Sequence, residues 1–149
     1  MLKNIDNRLN ADVLYALRAM GHGDYLIVSD TNFPADTIAR ATTLGKLLRM
    51  ENLSAAEAVN AILSVMPLDT VVDDFAGRMR VGDDANDIPP VQAEVAAEIA
   101  AAGESRQMEV IERFAFYDLA KGAYAVVQSG ERRFYGCFML RKGVIPPAE

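Results

Sequence analysis

Apolar residues recur along this chain at two spacings, and the alternation between them predicts its elements. In "NADVLYALRAMG", Val13, Leu14, Leu17 and Met20 fall at helical spacing behind Asn10, whose side chain suits an N-cap. Gly21 is expected to end that helix as a left-handed C-terminal residue. "YLIVS" follows, a short continuous apolar run that reads as a buried strand. "SAAEAVNAILSVMP" is a second helix, with Ser54 and Glu57 in capping-box register and Pro67 behind it. "DIPPVQAEVAAEIAAAG" is a third, with proline at the entry, glycine at the exit and Val91, Val95 and Ile99 on one face. "ERFAFYDLAKGA" predicts a fourth helix running into the strand "AYAVV", "SGERRFYG" a turn region, and "CFMLRKGV" a last strand. Between Leu68 and Ile88 the chain is rich in Asp and Gly, and "FAGRMRV" there reads as an extra strand. Helices alternating with short apolar strands argue for an α/β fold: one domain over residues 1–149, with a mainly parallel sheet flanked by helices. The pattern leaves the strand order open.

Composition narrows the partners. With 15 Lys+Arg against 21 Asp+Glu the net charge is −6, and no basic stripe offsets it, so nucleic acid and anionic membrane surfaces are not expected partners. The single cysteine, Cys137, has no internal partner for a disulfide, which suits a reducing compartment. The opening "MLKNIDNRLNADV" lacks the apolar core of a secretory signal, and no apolar run reaches membrane-spanning length, so a cytoplasmic location is expected.

The usual chemical signatures are missing. No Gly-x-Gly-x-x-Gly follows the first strand, and no phosphate loop or Gly-x-Ser-x-Gly elbow occurs. One histidine disfavours His-rich metal sites, so neither metal nor cofactor is expected. That histidine, His22, lies between Gly21 and Gly23, ahead of the first strand. Two readings are open: a turn histidine with conformational glycines, or an imidazole kept accessible to a ligand and favoured by the helix end before it. Asp30 ends the strand, where ligands of α/β sheets tend to bind. It reads either as a turn former or as a carboxylate whose two oxygens match a vicinal diol. Phe114, Phe116, Tyr117, Tyr124, Phe134, Tyr135 and Phe138 crowd one stretch, as core or as a wall for the apolar face of a sugar, with Arg113 and Tyr135 as its polar members.

Two blocks tie these residues together. "MLKNIDNRLNADVLYALRAMGHGDYLIVSDTNFPA" and "RFAFYDLAKGAYAVVQSGERRFYGCFMLRKGV" resemble the opening and closing motifs of the RbsD/FucU family of sugar mutarotases, in the family's order. The second block is closest to the L-fucose mutarotase branch, and the middle of the chain matches only in outline. The resemblance implies an RbsD-like fold, with His22 as proton donor and Asp30 and Arg113 as sugar ligands. It implies a pocket segment of Tyr135, Gly136 and Cys137, where Cys137 stands in place of the family's asparagine and leaves only a weak thiol donor. It also implies a homo-oligomer, up to a decamer, with sites near subunit contacts, and a free sugar such as L-fucose as substrate.

Mutarotation needs one group to protonate the ring oxygen and another to take the C1 hydroxyl proton. Imidazole suits the first role; Tyr135, Asp30 or a bound water are open for the second. The alternatives are a non-catalytic monosaccharide-binding or transport-accessory protein using the same residues, and an assembly subunit whose aromatic cluster is an interface.

Overall fold

The protein, described here over residues 1–148 from a computed structural model, forms one six-stranded sheet with helices on both faces. Helix α1 (Ala11–Ala19) starts where Asn10 accepts a hydrogen bond from the Val13 amide, as its sequence predicts. Strand β1 (Tyr25–Ser29) follows, then a short α2 (Ala35–Ala39) and β2 (Leu47–Met50). Helix α3 (Ala55–Leu63) carries both halves of the Ser54/Glu57 capping box. Strand β3 (Ala76–Met79) is the extra strand of the Asp- and Gly-rich stretch. Helix α4 (Pro90–Ala101), strand β4 (Glu109–Ile111), helix α5 (Arg113–Lys121) and strands β5 (Ala125–Ser129) and β6 (Phe138–Arg141) complete the order.

The left-handed residue after α1 is Gly23 (φ 85°), not Gly21: the helix closes at Met20, and Gly21 instead donates its amide to Asp24 Oδ2 at 2.7 Å. The chain therefore turns two residues later than its glycine pattern suggested, with His22 inside the turn.

The strands lie in the order β2-β5-β1-β6-β3-β4. Strand β6 pairs antiparallel with both β1 and β3, while β1–β5, β2–β5 and β3–β4 are parallel, so one reversed strand sits near the centre of an otherwise parallel sheet. The period-two alternation of strands divides the apolar residues between two cores. Leu26, Val28, Phe138 and Leu140 pack with α1, α3 and α4 on one face. Ile27, Val126, Met139 and Cys137 pack with α2 and α5 on the other. Each fully buried aliphatic or aromatic side chain contributes on the order of 1.5–3 kcal/mol.

The reversal of β6 gives the sheet two ends of different character. Where β6 begins, Tyr135 to Cys137 lie beside Asp30 at the exit of β1. Where it ends, Arg141 and Lys142 lie beside the entry of β1, Gly23 donating to the Lys142 carbonyl at 2.9 Å. Here the segment Pro67–Asp69 packs onto the strand: Asp69 donates its amide to the Arg141 carbonyl, and Gly143 donates to the Pro67 carbonyl. A Cβ on Gly143 would lie 2.3 Å from the Leu68 carbonyl oxygen and 2.9 Å from Asp69 Cα. Gly143→Ala should therefore push this segment off β6 and lower stability by about 1–3 kcal/mol, read as a lower urea midpoint.

Candidate functional site

A cavity of about 320 Å³ opens where the parallel strands β1 and β3 leave the sheet, on the face covered by α2 and α5. Asp30, Asn32 and Phe33 enter it from the β1 exit, Met79 from the end of β3, and Arg113 and Tyr117 from the first turns of α5. Phe134, Tyr135 and Cys137 close it from the loop before β6. Its volume is of the order used by small-molecule sites, and its position is the one expected of ligand sites in α/β sheets. The structure thus brings together Asp30, Arg113, Tyr135 and Cys137, with Gly136 directly behind them.

Asp30 is buried, and most of its hydrogen-bonding capacity is occupied. Its Oδ1 accepts from the amides of Asn32 at 2.9 Å and Phe33 at 3.0 Å, and its Oδ2 accepts from the Gly136 amide at 3.1 Å. The three amides and the neighbouring Cys137 thiol together take up most of the roughly four lone-pair positions a carboxylate offers. Asp30 thus lines the cavity while its amide contacts hold the walls together. The same carboxylate acts on Cys137. Burial first, then the nearby negative charge, pushes the thiol well above its ordinary value, so Cys137 meets the cavity as a neutral thiol.

The loop from Gly130 to Gly136 is fixed by an ion cluster. Arg133 forks onto Glu94 with contacts of 2.8 and 2.7 Å and onto Glu131 at 2.9 Å. Glu131 itself is buried and also receives the amides of Arg133 and Ala55. The Arg133 side chain is the main cause holding its carboxyl down at about 2. Tyr135 follows in a left-handed conformation (φ 63°), uncommon outside glycine and asparagine, which carries its side chain to the cavity.

The aromatic cluster divides. Tyr117, Phe134 and Tyr135 line the cavity, and Phe33 and Phe114 each meet Tyr117 edge to face. Phe116 and Phe138 are fully buried, and Tyr124 packs against the core. Phe114 and Phe134 remain 61% and 73% exposed at the rim. Arg113 lies 4.6 Å above the Phe114 ring centroid.

His22 is elsewhere. It stands at the entry of β1, whereas the cavity lies at the exit, and β1 alone spans roughly 16 Å. Its Nε2 contacts Asp69 Oδ2 at 2.9 Å, with the imidazole 49% and the carboxylate 2% exposed. Asp69 also accepts from the Val71 amide, which is the largest cause holding its carboxyl below the usual range, followed in that direction by His22. At the end of α1, beside Arg18 in its last turn, it is Lys142 rather than His22 whose Nζ donates to the carbonyls of Leu17 and Met20. Asp69 is the partner that sequence reasoning missed. It lies 47 residues from His22 in a stretch whose many aspartates read as loop, and only the "PLD" step onto β6 singles it out. Among the described residues, no group of three or more His, Cys, Asp and Glu is placed to hold a metal ion, and no helix is long and apolar enough to cross a membrane.

Comparison with known proteins adds the following. The RbsD / FucU transport protein family matches residues 3–145. A fucose mutarotase from Homo sapiens is 39% identical, covering 97% of this chain and 94% of its own. The crystal structure of protein Atu2016, named there as a sugar-binding candidate, superposes with a TM-score of 0.96 at 62% identity, covering 98% of this chain and 97% of that one. The fucose mutarotase from Streptococcus pneumoniae in complex with L-fucose superposes with a TM-score of 0.87 at 34% identity, covering 97% of this chain and 100% of that one.

The depressed Glu131 carboxyl links the cavity loop to acid stability. A carboxyl lowered on folding adds stability above its ordinary value of 4.5, and this is lost as pH falls from there toward about 2. Glu131→Gln should lower stability at neutral pH by about 1–3 kcal/mol. It should also flatten the acid decline across that window, measured as urea midpoints against pH.

Proposed function

The chain belongs to the RbsD/FucU family, and on that premise we propose that it is a mutarotase interconverting the α and β anomers of free L-fucose. The observation that carries this reading is its full-length likeness to fucose mutarotases of vertebrates and bacteria. The cavity fits the substrate class. Phe33, Tyr117, Phe134 and Tyr135 offer ring faces and edges to the apolar C–H surface of a sugar, while the Asp30 carboxylate, the Arg113 guanidinium and the Tyr135 hydroxyl can meet its hydroxyls. Cys137 presents a weakly polar thiol where the fucose branch has an amide, so one wall is less demanding of a matched hydroxyl.

His22 is the proposed proton donor. With Asp69 accepting from Nε2–H, the tautomer is set and Nδ1 is the nitrogen free to exchange a proton. In the forward step His22 acts as the imidazolium: its Nδ1–H protonates the ring oxygen as the C1–O5 bond breaks, which leaves a neutral imidazole with Nε2–H on Asp69. The C1 hydroxyl loses its proton to Tyr135, Asp30 or a water, giving the open-chain aldehyde. Rotation about C1–C2 and the reverse transfers close the ring on the other carbonyl face. The buried Asp69 carboxylate stays ionised and stabilises the imidazolium that donates the first proton and is restored on reclosure. A positioned acid or base of this kind gives about 10²–10⁴-fold.

One chain holds these two halves at opposite ends of β1, so the reading includes a second copy. The His22–Asp69 pair of one copy completes the mouth of the next copy's cavity, where Phe114 and Phe134 stand exposed. The protein is accordingly proposed as a cytoplasmic homo-oligomer. His22→Ala should abolish accelerated exchange between L-fucose anomers in saturation-transfer NMR while binding persists; exchange at the wild-type rate would remove His22 from the chemistry. Arg113→Ala should be impaired separately. Mixed oligomers of the two variants should recover about a quarter of wild-type activity, the share of sites pairing an intact histidine with an intact cavity. No recovery on mixing would mean that the two halves do not meet across a contact.

A further inference from the structure

Gln92 sits on α4 with no exposed surface, on the helix side that carries Val91, Val95 and Ile99 into the core. Its amide joins three segments. Nε2 donates to the Met79 carbonyl at 2.7 Å and to the Tyr135 carbonyl at 3.0 Å, and Oε1 accepts from Arg78 Nη1 at 2.7 Å. Arg78 is itself buried and reaches the carbonyls of Ala85 and Asp87. A guanidinium can only donate, so its contact fixes which end of the amide is oxygen and aims the nitrogen at the two carbonyls. Met79 and Tyr135 both line the sugar cavity, whereas Gln92 lies behind its wall.

A buried amide among apolar residues is tolerated only when its groups are paired, and a leucine would fill the same space with no such demand. What the amide adds is a hold on the carbonyl of Tyr135, a residue whose left-handed backbone needs its surroundings to maintain it. We propose that Gln92 is a positioning residue of the sugar cavity: by holding the Tyr135 and Met79 carbonyls together, it keeps the Tyr135 side chain where the sugar binds. This rests on the function proposed above, since Gln92 acts only through Tyr135. Without the tether Tyr135 relaxes toward ordinary backbone angles, and a displacement of about 1 Å can cost about 10²-fold in rate.

The test uses Gln92→Met, which removes every hydrogen bond, and Gln92→Glu, which keeps the volume and the Arg78 partner but loses both donors. Each is made in the wild type and in a Tyr135→Ala background. L-fucose anomer exchange is followed over sugar concentration to separate kcat from KM, sugar affinity is titrated, and thermal unfolding is recorded. The expected result is folded variants with kcat/KM lowered about ten- to a hundredfold in the wild-type background. Little further loss of exchange or affinity is expected once Tyr135 is alanine. Equal factors in both backgrounds, unchanged exchange in folded variants, or failure of both variants to fold would each assign Gln92 to stability alone and overturn the proposal. Wild-type protein that neither binds L-fucose nor accelerates its exchange would overturn this proposal and the function beneath it, whereas an active wild type with unaffected variants overturns only this one.

Discussion

The buried Asp30 carboxylate is the contact on which the cavity depends. It closes the turn after β1 through the Asn32 and Phe33 amides and fastens the loop before β6 through the Gly136 amide, across 106 residues of chain. A buried charge is tolerated only when its oxygens are hydrogen-bonded, and amide donors meet that condition without adding a second charge. The walls carrying Phe33 and Tyr135 are thereby tied to one residue. A ligand of the proposed kind would meet a site already shaped, so little ordering would be left for binding to drive.

The reversed strand β6 sets the second constraint. It begins at the cavity and ends where Arg141, Lys142 and Gly143 hold the Asp69 segment, so one strand runs between the two places while keeping them a strand's length apart. The Asp69 carboxylate is anchored by the Val71 amide and by burial, which leaves His22 oriented yet half in solvent. An imidazole held this way cannot reach its own chain's cavity. It is instead half exposed at the opposite end of the sheet, paired with Asp69. Phe114 and Phe134 stand exposed at the cavity rim, at the other end of the strand.

Much of the fold was legible because its signals are local. Asn10, the Ser54/Glu57 capping box and the Pro90 entry each act within one helical turn, and all three appear where expected. The four-residue β2 and three-residue β4 were missed because they are edge strands whose alternation is too short to read, and the five-residue α2 lacks a side-chain cap. The central reversal of β6 was unreadable for a different reason: strand direction is decided by pairing partners far along the chain. The site divides the same way. Asp30, Arg113, Tyr135 and Cys137 came from contiguous motifs, whereas Asp69 and Gln92 owe their roles to contacts 47 and 43 residues away. Gln92 carried no signal, since a glutamine on a helix ordinarily faces water.

Local rules are broken where the cavity is. Tyr135 adopts a left-handed backbone that its type disfavours. Arg113 places a cation in the first turn of α5, where the helix dipole favours an acid, and Glu112 must cap that end by accepting from Phe114 and Ala115. Ser29, immediately before Asp30, buries a hydroxyl with no hydrogen-bond partner among the described residues. Each departure costs stability, and none is required by the two cores, which would pack as well with an acid at the start of α5 and a glycine in the loop. Their coincidence around one opening is what a folded chain shows where binding, rather than packing, selects the residue. The neutral sugar proposed as ligand would account for the kind of groups retained: rings for its C–H face, and a few fixed donors and acceptors for its hydroxyls. It also explains why a chain of net charge −6 can serve it, since no long-range field is needed to bring in an uncharged ligand.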